Sequence, residues 1–501
     1  MRDIGSYFPS PIGNRLWLGA LILAPMFAYV MYHRIQGQPP SSDRKKKLTQ
    51  HDVPGPIVDP GQGSLPDIAV AGGLIPFVRS LHSNYGPIAR FYLTPGEPVI
   101  SVADSEIIKK SGLLQAGSRP KDMFAFLTPL IGSDNLQIYD AKRADLARRR
   151  FAPALSHQVI STKYRDILDI IHSLFDRWDR QIEKGQDIIA MQTELMWFGL
   201  MAIVKTALSV DLGNYDMQKF KSAYDASMSG LFDKQFGNLG TYSQEEIDTS
   251  LAFLHQTIHS LVEDRRNTRA AQSKGQTTDR DLFDILLTET DPTTGEPFSE
   301  EMISSHFSVF ILAGYHTTAI SIAWAIFALT QHPEMEQRLY EEVSSVLGDR
   351  VPQLSDFDKM PFLNNFIKET LRVHTIGPFA SRQLDAPTLI GEYEVDAGTT
   401  IFLPICVIHS SEAEWGPDAA KFNPDRFAKG LKPPISYCPF GLGARICPGD
   451  RLAMVEIRAV IACLVQRYKF ELAMPPEEVV PMERFVAMAK NDIHVRLCRR
   501  S

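Results

Sequence analysis

The sequence predicts a mainly α-helical fold with a smaller β part (α+β), built as one large unit behind a single N-terminal transmembrane helix. Three observations predict it. Helical periodicity dominates residues 104–340, as in the i, i+3, i+4, i+7 set Ile167, Ile170, Ile171 and Leu174. β-rich stretches at residues 88–102 and 389–403 flank that helical run. One strongly apolar run, residues 16–32, precedes everything else. A chain of 501 residues would by length alone divide into about three domains. No Pro/Gly/Ser-rich linker, repeat or low-complexity stretch interrupts the sequence after residue 63. The interleaving of α and β favours one unit over three. The expected organisation is therefore an anchor at residues 1–35, a linker at 36–63 and a single catalytic domain at 64–501.

The anchor comes first. Its apolar run is long for a signal-peptide core, and no clean small-x-small cleavage site follows it. Trp17, Tyr29 and Tyr32 suit membrane interfaces. Arg34 and the cluster Arg44, Lys45, Lys46 and Lys47 follow the run, whereas only Arg2 and Arg15 precede it. The positive-inside rule then places everything after the run in the cytosol. The linker carries Pro39, Pro40, Pro54 and Pro56, a density that makes a semi-rigid spacer. Its basic cluster is either a contact for anionic head groups or only a topology signal. Residues 88–102 read as a hairpin with a Thr-Pro-Gly-Glu turn. The polar residues 263–280 read as a surface loop. Residues 299–332 form one long apolar helix, with Ser299 as its cap, Glu300 and Glu301 in its first turn and Pro333 beyond its end. Such a helix is ~50 Å long, enough to cross a whole domain.

Composition excludes several classes. Hydrophobic residues are 44% and charged residues 22%, which is ordinary globular composition and excludes a disordered chain or a polytopic membrane protein. Lys plus Arg total 52 against 59 for Asp plus Glu, a net charge of −7, so no basic excess drives nucleic-acid binding. Five cysteines are too few, and odd in number, for a disulfide scaffold.

One cysteine stands in a shaped setting. Residues 439–449 read Pro-Phe-Gly-Leu-Gly-Ala-Arg-Ile-Cys-Pro-Gly, a loop by its glycines and prolines. Residues 450–466 then resume a helical pattern, so Cys447 sits where a loop enters a helix, a position that favours thiolate. No CxxC or His/Cys partner lies nearby, which argues against zinc. No local general base supports a nucleophilic thiol. A lone thiolate with Arg445 two residues before it suits one axial bond to a large anionic cofactor. Haem b fits, with thiolate to iron and arginine to a propionate.

The pattern Phe440-x-x-Gly443-x-Arg445-x-Cys447-x-Gly449 resembles the haem-binding loop of the cytochrome P-450 family at every fixed position. Three further motifs resemble that family. Glu369 and Arg372 share a helix face, and Phe422-Asn423-Pro424-Asp425-Arg426-Phe427 follows at a matching distance. The resemblance implies a buried three-member network of Glu369, Arg372 and Arg426 that maintains the fold around the haem loop. Ala313-Gly314-Tyr315-His316-Thr317-Thr318 is similar to the family's oxygen-activation motif. Gly314 costs the helix ~1 kcal/mol against Ala. It implies either close packing or room for dioxygen beside Ala313 and Gly314. Thr317 is placed to hydrogen-bond the Ala313 carbonyl. The family's acid position is occupied by His316, which either relays protons or is a packing histidine. Counting back from the stop at residues 151–156 places Arg148 at a propionate-binding arginine and Ala144 where the family carries tryptophan. Arg382 is a further propionate candidate. The arginine-rich helix around Arg148 is either a docking face for an acidic redox partner or a solvated face.

The resemblance covers the body of the chain. It implies a haem-thiolate monooxygenase of the membrane-anchored microsomal type, with haem between the long central helix and the cysteine loop. Its localisation would be the endoplasmic reticulum membrane, single-pass, with the catalytic domain facing the cytosol. Electrons would come from NADPH through a diflavin reductase, with cytochrome b5 as a candidate second donor. The chain itself lacks a Gly-rich dinucleotide motif. The expected substrate is a hydrophobic small molecule in a pocket near Phe124, Phe126, Phe310 and Phe379, residues that serve equally as ordinary core. Sterols, terpenoids, polyketides and fatty acids all fit. Two alternatives remain: a haem-thiolate isomerase or dehydratase that uses no dioxygen, and a non-catalytic haem-binding or membrane interaction protein.

Overall fold

A computed structural model describes residues 47–210, 213, 215–236, 240–271, 280–430 and 435–500. The expected transmembrane helix lies outside the described residues. One compact unit spans Leu48–Ser501, so it begins inside the span expected to be linker. The reason is packing. Val53 is buried, and the Gln50 side-chain oxygen accepts hydrogen bonds from the Asp396 N–H at 3.0 Å and the Thr399 hydroxyl at 2.9 Å. These contacts convert a proline-rich spacer into part of the body.

Helices dominate the unit. Those that build the site are α1 (Ala141–Phe151), α2 (His157–Glu183), α3 (Met191–Ala202), α4 (Met217–Phe236), α5 (Gln244–Ala271), α6 (Glu300–Gln331), α7 (Pro361–Val373) and α8 (Asp450–Arg467). Helix α6 is the central one. Ser299 caps it by accepting from the Met302 N–H at 3.2 Å. Its apolar residues run around all faces, which marks a core helix rather than a surface one. It is the one helix among the described residues long and apolar enough to cross a membrane, yet 83% of its most apolar window is buried inside the fold.

Close approach of α3 to α6 depends on two glycines. A Cβ on Gly199 would lie 2.3 Å from the Tyr315 carbonyl oxygen, and one on Gly314 would lie 2.6 Å from the Ile203 side chain. Close packing therefore accounts for the glycine at 314. Helix α3 ends in a single π turn, Ile203–Ala207, which presents Ile203 to α6.

The predicted hairpin is present as β1 (Ile88–Thr94) and β2 (Glu97–Val102). It joins β3 (Ala380–Gln383) and β4 (Thr400–Leu403) in the order β1-β2-β4-β3. Strands β2 and β4 are parallel, with Ile100 opposite Ile401, and Arg382 on the edge strand pairs with Ile401 from the other side. A second sheet has His494–Arg499 at its centre, between Ile188–Ala190 and Tyr468–Leu472. The sequence reading passed over this sheet. Its first strand, of three residues, is too short to show periodicity, and the other two strands lie far from it in sequence, near the C-terminus.

One expectation is corrected here. Residues 263–271 are helical, as the last part of α5, and not loop. Glu263 pairs with Arg266 at 3.1 Å along the helix, and Arg269 pairs with the buried Asp284 at 2.7 Å, so this polar stretch is held by ions rather than apolar burial. Of the two phenylalanines offered for the pocket, Phe310 is buried and Phe379 is partly buried. Phe310 stacks edge-on against Phe151 at 5.1 Å, and Phe379 lies 4.7 Å from Phe402 on β4.

Candidate active site

The cysteine loop is held open by glycine geometry. Gly441 and Gly443 have φ of 77° and 62°, a region that L side chains rarely adopt. A Cβ on Gly443 would stand 2.0 Å from the Leu114 carbonyl oxygen, an oxygen that accepts from the Ala444 N–H at 2.8 Å. The Cys447 N–H donates to the Phe440 carbonyl at 2.8 Å, which closes the loop, and α8 begins three residues later behind Gly449. Cys447 is half-buried. Burial pushes its thiol up, while the Gly449 N–H, Arg148 and Arg119 pull it back towards thiolate. Cys406, Cys438 and Cys463 differ. They are buried, and desolvation pushes each up to about 12. Cys438 sits in an apolar cluster with its thiol directed at the Ile435 carbonyl.

Four guanidiniums gather beside this loop. Arg445 is buried and donates to the carbonyls of Gly117, Leu136 and Tyr139. Arg382 is buried, donates to the carbonyls of Ser381 and Leu442 at 2.7 Å each, and keeps a buried Nε without a partner. Arg148 donates to the Ile446 carbonyl and Arg119 to that of Gln137. Among the described residues no carboxylate forms an ion pair with any of the four. Burial, and then repulsion from the neighbouring guanidiniums, lowers Arg119 to about 9 and Arg382 and Arg445 to about 10. Crowded cations without carboxylates are costly unless a ligand brings negative charge. A planar ring with two carboxylates and an open axial position for sulfur meets that demand, so the residues present fit haem. Arg119 has no place in the sequence reading, because the tripeptide Ser118-Arg119-Pro120 carries no motif. Ala144 is buried in the main core, one turn before Arg148.

Across the cleft, α6 carries the oxygen-activation segment. Ala313 is exposed although Leu312 and Tyr315 beside it are buried, so α6 borders a cleft at that position. The Thr317 hydroxyl donates to the Ala313 carbonyl at 2.7 Å. His316 does not share that face. It is buried against α4, with its ring 6.1 Å from Tyr224 and its Nδ1 without a partner, and burial lowers it to about 4. Glu456 of α8, unremarked in the sequence, is also buried. Desolvation raises it to about 8, against a hydrogen bond to Thr318 that lowers it.

The three-member ion network forms as the resemblance implied. Arg372 donates Nε and a terminal nitrogen to the two Glu369 oxygens at 2.7 and 2.8 Å, and Arg426 Nε donates to Glu369 Oε1 at 3.0 Å. The Asn423 N–H also donates to that oxygen at 2.7 Å, the fourth bond the carboxylate accepts. Arg372 also binds the carbonyls of His409 and Ala419 at 2.7 and 2.8 Å, so it ties α7 to the segment leading into the cysteine loop.

Comparison with known proteins agrees with this geometry. The chain is 28% identical over 422 residues to cytochrome P450 4A12B of Mus musculus, an alignment covering 79% of this chain and 81% of that protein. It is 26% identical over 447 residues to cytochrome P450 714B2 of Oryza sativa subsp. japonica, covering 85% of this chain and 79% of that protein. The family model for cytochrome P450 matches residues 53–497. The chain therefore belongs to the cytochrome P450 family and is a haem b monooxygenase.

Proposed function

We propose that this protein oxidises a hydrophobic small molecule at the endoplasmic reticulum membrane, with electrons from NADPH delivered by a diflavin reductase and, as a second donor, cytochrome b5. Residues 1–35 would anchor it and the catalytic domain would face the cytosol, on the charge asymmetry around residues 16–32. Bound haem supplies the dioxygen chemistry. The chain's own residues do the rest. Cys447 would hold the haem iron through its thiolate, and Phe440, Gly443 and Gly449 shape its loop. Arg119, Arg148, Arg382 and Arg445 take the propionates. Ala313 and Gly314 border the cleft where the reaction occurs. Thr317 holds a proton there, and His316 stands next to it in sequence. Glu369, Arg372 and Arg426 maintain the fold.

The observation that carries this reading is the single half-buried thiol beside four guanidiniums that form no ion pair with a carboxylate among the described residues. Cys447→Ser is expected to abolish the red-shifted Soret band of the ferrous–CO complex, whereas Cys438→Ser keeps it. Retention of the band in Cys447→Ser would overturn the assignment. A spectral screen of apolar compounds, then product mass with labelled dioxygen, tests the reaction. His316 at the family's acid position favours one second reading, a haem-thiolate isomerase or dehydratase. Turnover without reductase would single that out.

A further inference from the structure

Residues 117–139 form a loop whose two ends meet at one guanidinium. Arg445, in the cysteine loop, is buried. It donates Nε to the Gly117 carbonyl, one terminal nitrogen to that of Leu136 at 3.1 Å and the other to that of Tyr139. Inside this neck Arg119 makes a second rung, donating to the Gln137 carbonyl at 3.3 Å. The neck is tight: a Cβ on Gly117 would lie 2.7 Å from that of Ala141 on α1. Beyond the neck the loop reaches three elements of the body. The Ser381 hydroxyl on β3 donates to Met123 Sδ at 2.9 Å. The Phe126 ring stands edge-on to Phe232 of α4, with centroids 4.9 Å apart. Gly132 has φ of 70° and lies so close to α6 that a Cβ there would collide with the Ser305 side chain. Phe124 and Phe126 are partly buried against the main core.

We propose that Arg445 is a positioning residue for the substrate: it clasps the neck of residues 117–139 and so fixes Met123, Phe124 and Phe126 as one wall of the pocket. Its remaining N–H groups stay available for a haem propionate. Haem loading and pocket shape then depend on the same side chain. Bonds from a cation to carbonyls are stronger than neutral ones, and the planar fork fixes their directions. Arg382 supplies the contrast. It is buried in the same cluster, but its bonds run to the carbonyls of Ser381 and Leu442, outside residues 117–139. A lysine at 445 keeps a charge for a propionate, yet its single nitrogen cannot span carbonyls at both ends of the neck. The inference rests on the haem reading of the site.

The test uses the anchored holoenzyme in the ferric state, with imidazole and 4-phenylimidazole as probes. Both shift the Soret band when their nitrogen reaches the iron, and only the second needs a wall for its extra ring. Arg445→Lys is expected to bind imidazole within about two-fold of wild type, and to lose at least about five-fold of the wild-type preference for 4-phenylimidazole. A general loss of stability would weaken both probes alike. Arg382→Lys is expected to keep the wild-type preference. Hydrogen exchange is measured on the same proteins. The amides of residues 117–127 are expected to exchange at least about ten-fold faster in Arg445→Lys and at the wild-type rate in Arg382→Lys. A wild-type preference or wild-type exchange in Arg445→Lys overturns the proposal, as does an equal effect in Arg382→Lys. If Arg445→Lys holds no haem, its exchange is compared with that of haem-free Cys447→Ala, which keeps the clasp. Faster exchange in Arg445→Lys then supports the clasp, and equal rates overturn it. If wild-type protein binds neither probe at iron, the haem reading fails, and the exchange rates still decide the clasp.

Discussion

The Ala444 N–H donates to the Leu114 carbonyl oxygen at 2.8 Å, and that oxygen fills the space where residue 443 would carry a Cβ. Leu114 precedes the segment that carries Arg119, so this one bond ties the cysteine loop to another part of the arginine cluster. Gly443→Ala combines a backbone conformation costing ~1–3 kcal/mol with a collision against peptide rather than side chain. The variant is expected to hold less than about a tenth of the wild-type haem. Haem content of protein purified by size exclusion measures this, and near-full loading would refute it.

Glu369 accepts four hydrogen bonds from three residues and is fully buried. Glu369→Gln leaves Arg372 as a buried charge without its counter-ion. The expected cost is about 3–5 kcal/mol. Urea melts followed by tryptophan fluorescence should show it as a lower midpoint with unchanged slope.

Glu456 sets a pH dependence. Its ordinary value is 4.5, and burial raises the folded one to about 8. The folded state therefore holds a proton that the unfolded state releases. The contribution is fully present below the unfolded value, and it is lost as pH rises towards the folded one, at ~1.4 kcal/mol per pH unit. Glu456→Gln, neutral throughout, should flatten the decline in stability across this window. Thermal melts of both proteins between about pH 4.5 and 8 give the comparison, and parallel declines would disprove it.

Gly314 and Ile203 make a packing pair. Gly314→Ala is expected to lower stability by about 1–3 kcal/mol through overpacking. Ile203→Ala in the same chain should recover part of that loss. A glycine kept instead for room in the cleft would show no such rescue.

The parts of the site legible in sequence are those carried by one continuous segment. Residues 439–449 fold on themselves through the Cys447–Phe440 bond, so their spacing alone announces a shaped loop. Glu369 and Arg372 lie one turn apart on α7, and Thr317 reaches Ala313 one turn back. What escaped depends on meetings between distant segments. Arg119 matters only because Arg148, Arg382 and Arg445 converge on it. The glycine at 314 was legible as an anomaly, but its cause, Ile203, belongs to a π turn that no periodicity reveals.

Helix α6 has a consequence for how the chain is made. By length and composition it could cross a bilayer, although the fold buries it. During synthesis it leaves the ribosome well before α8, which covers one of its sides in the finished fold. In that interval a segment fit for lipid is exposed beside a membrane to which the nascent chain is expected to be tethered already. Its correct burial is then a race between docking of the C-terminal elements and partition into the bilayer. Chains truncated before Asp450 are expected to lose that race, appearing as aggregates or as alkali-resistant membrane protein rather than as a smaller soluble fold.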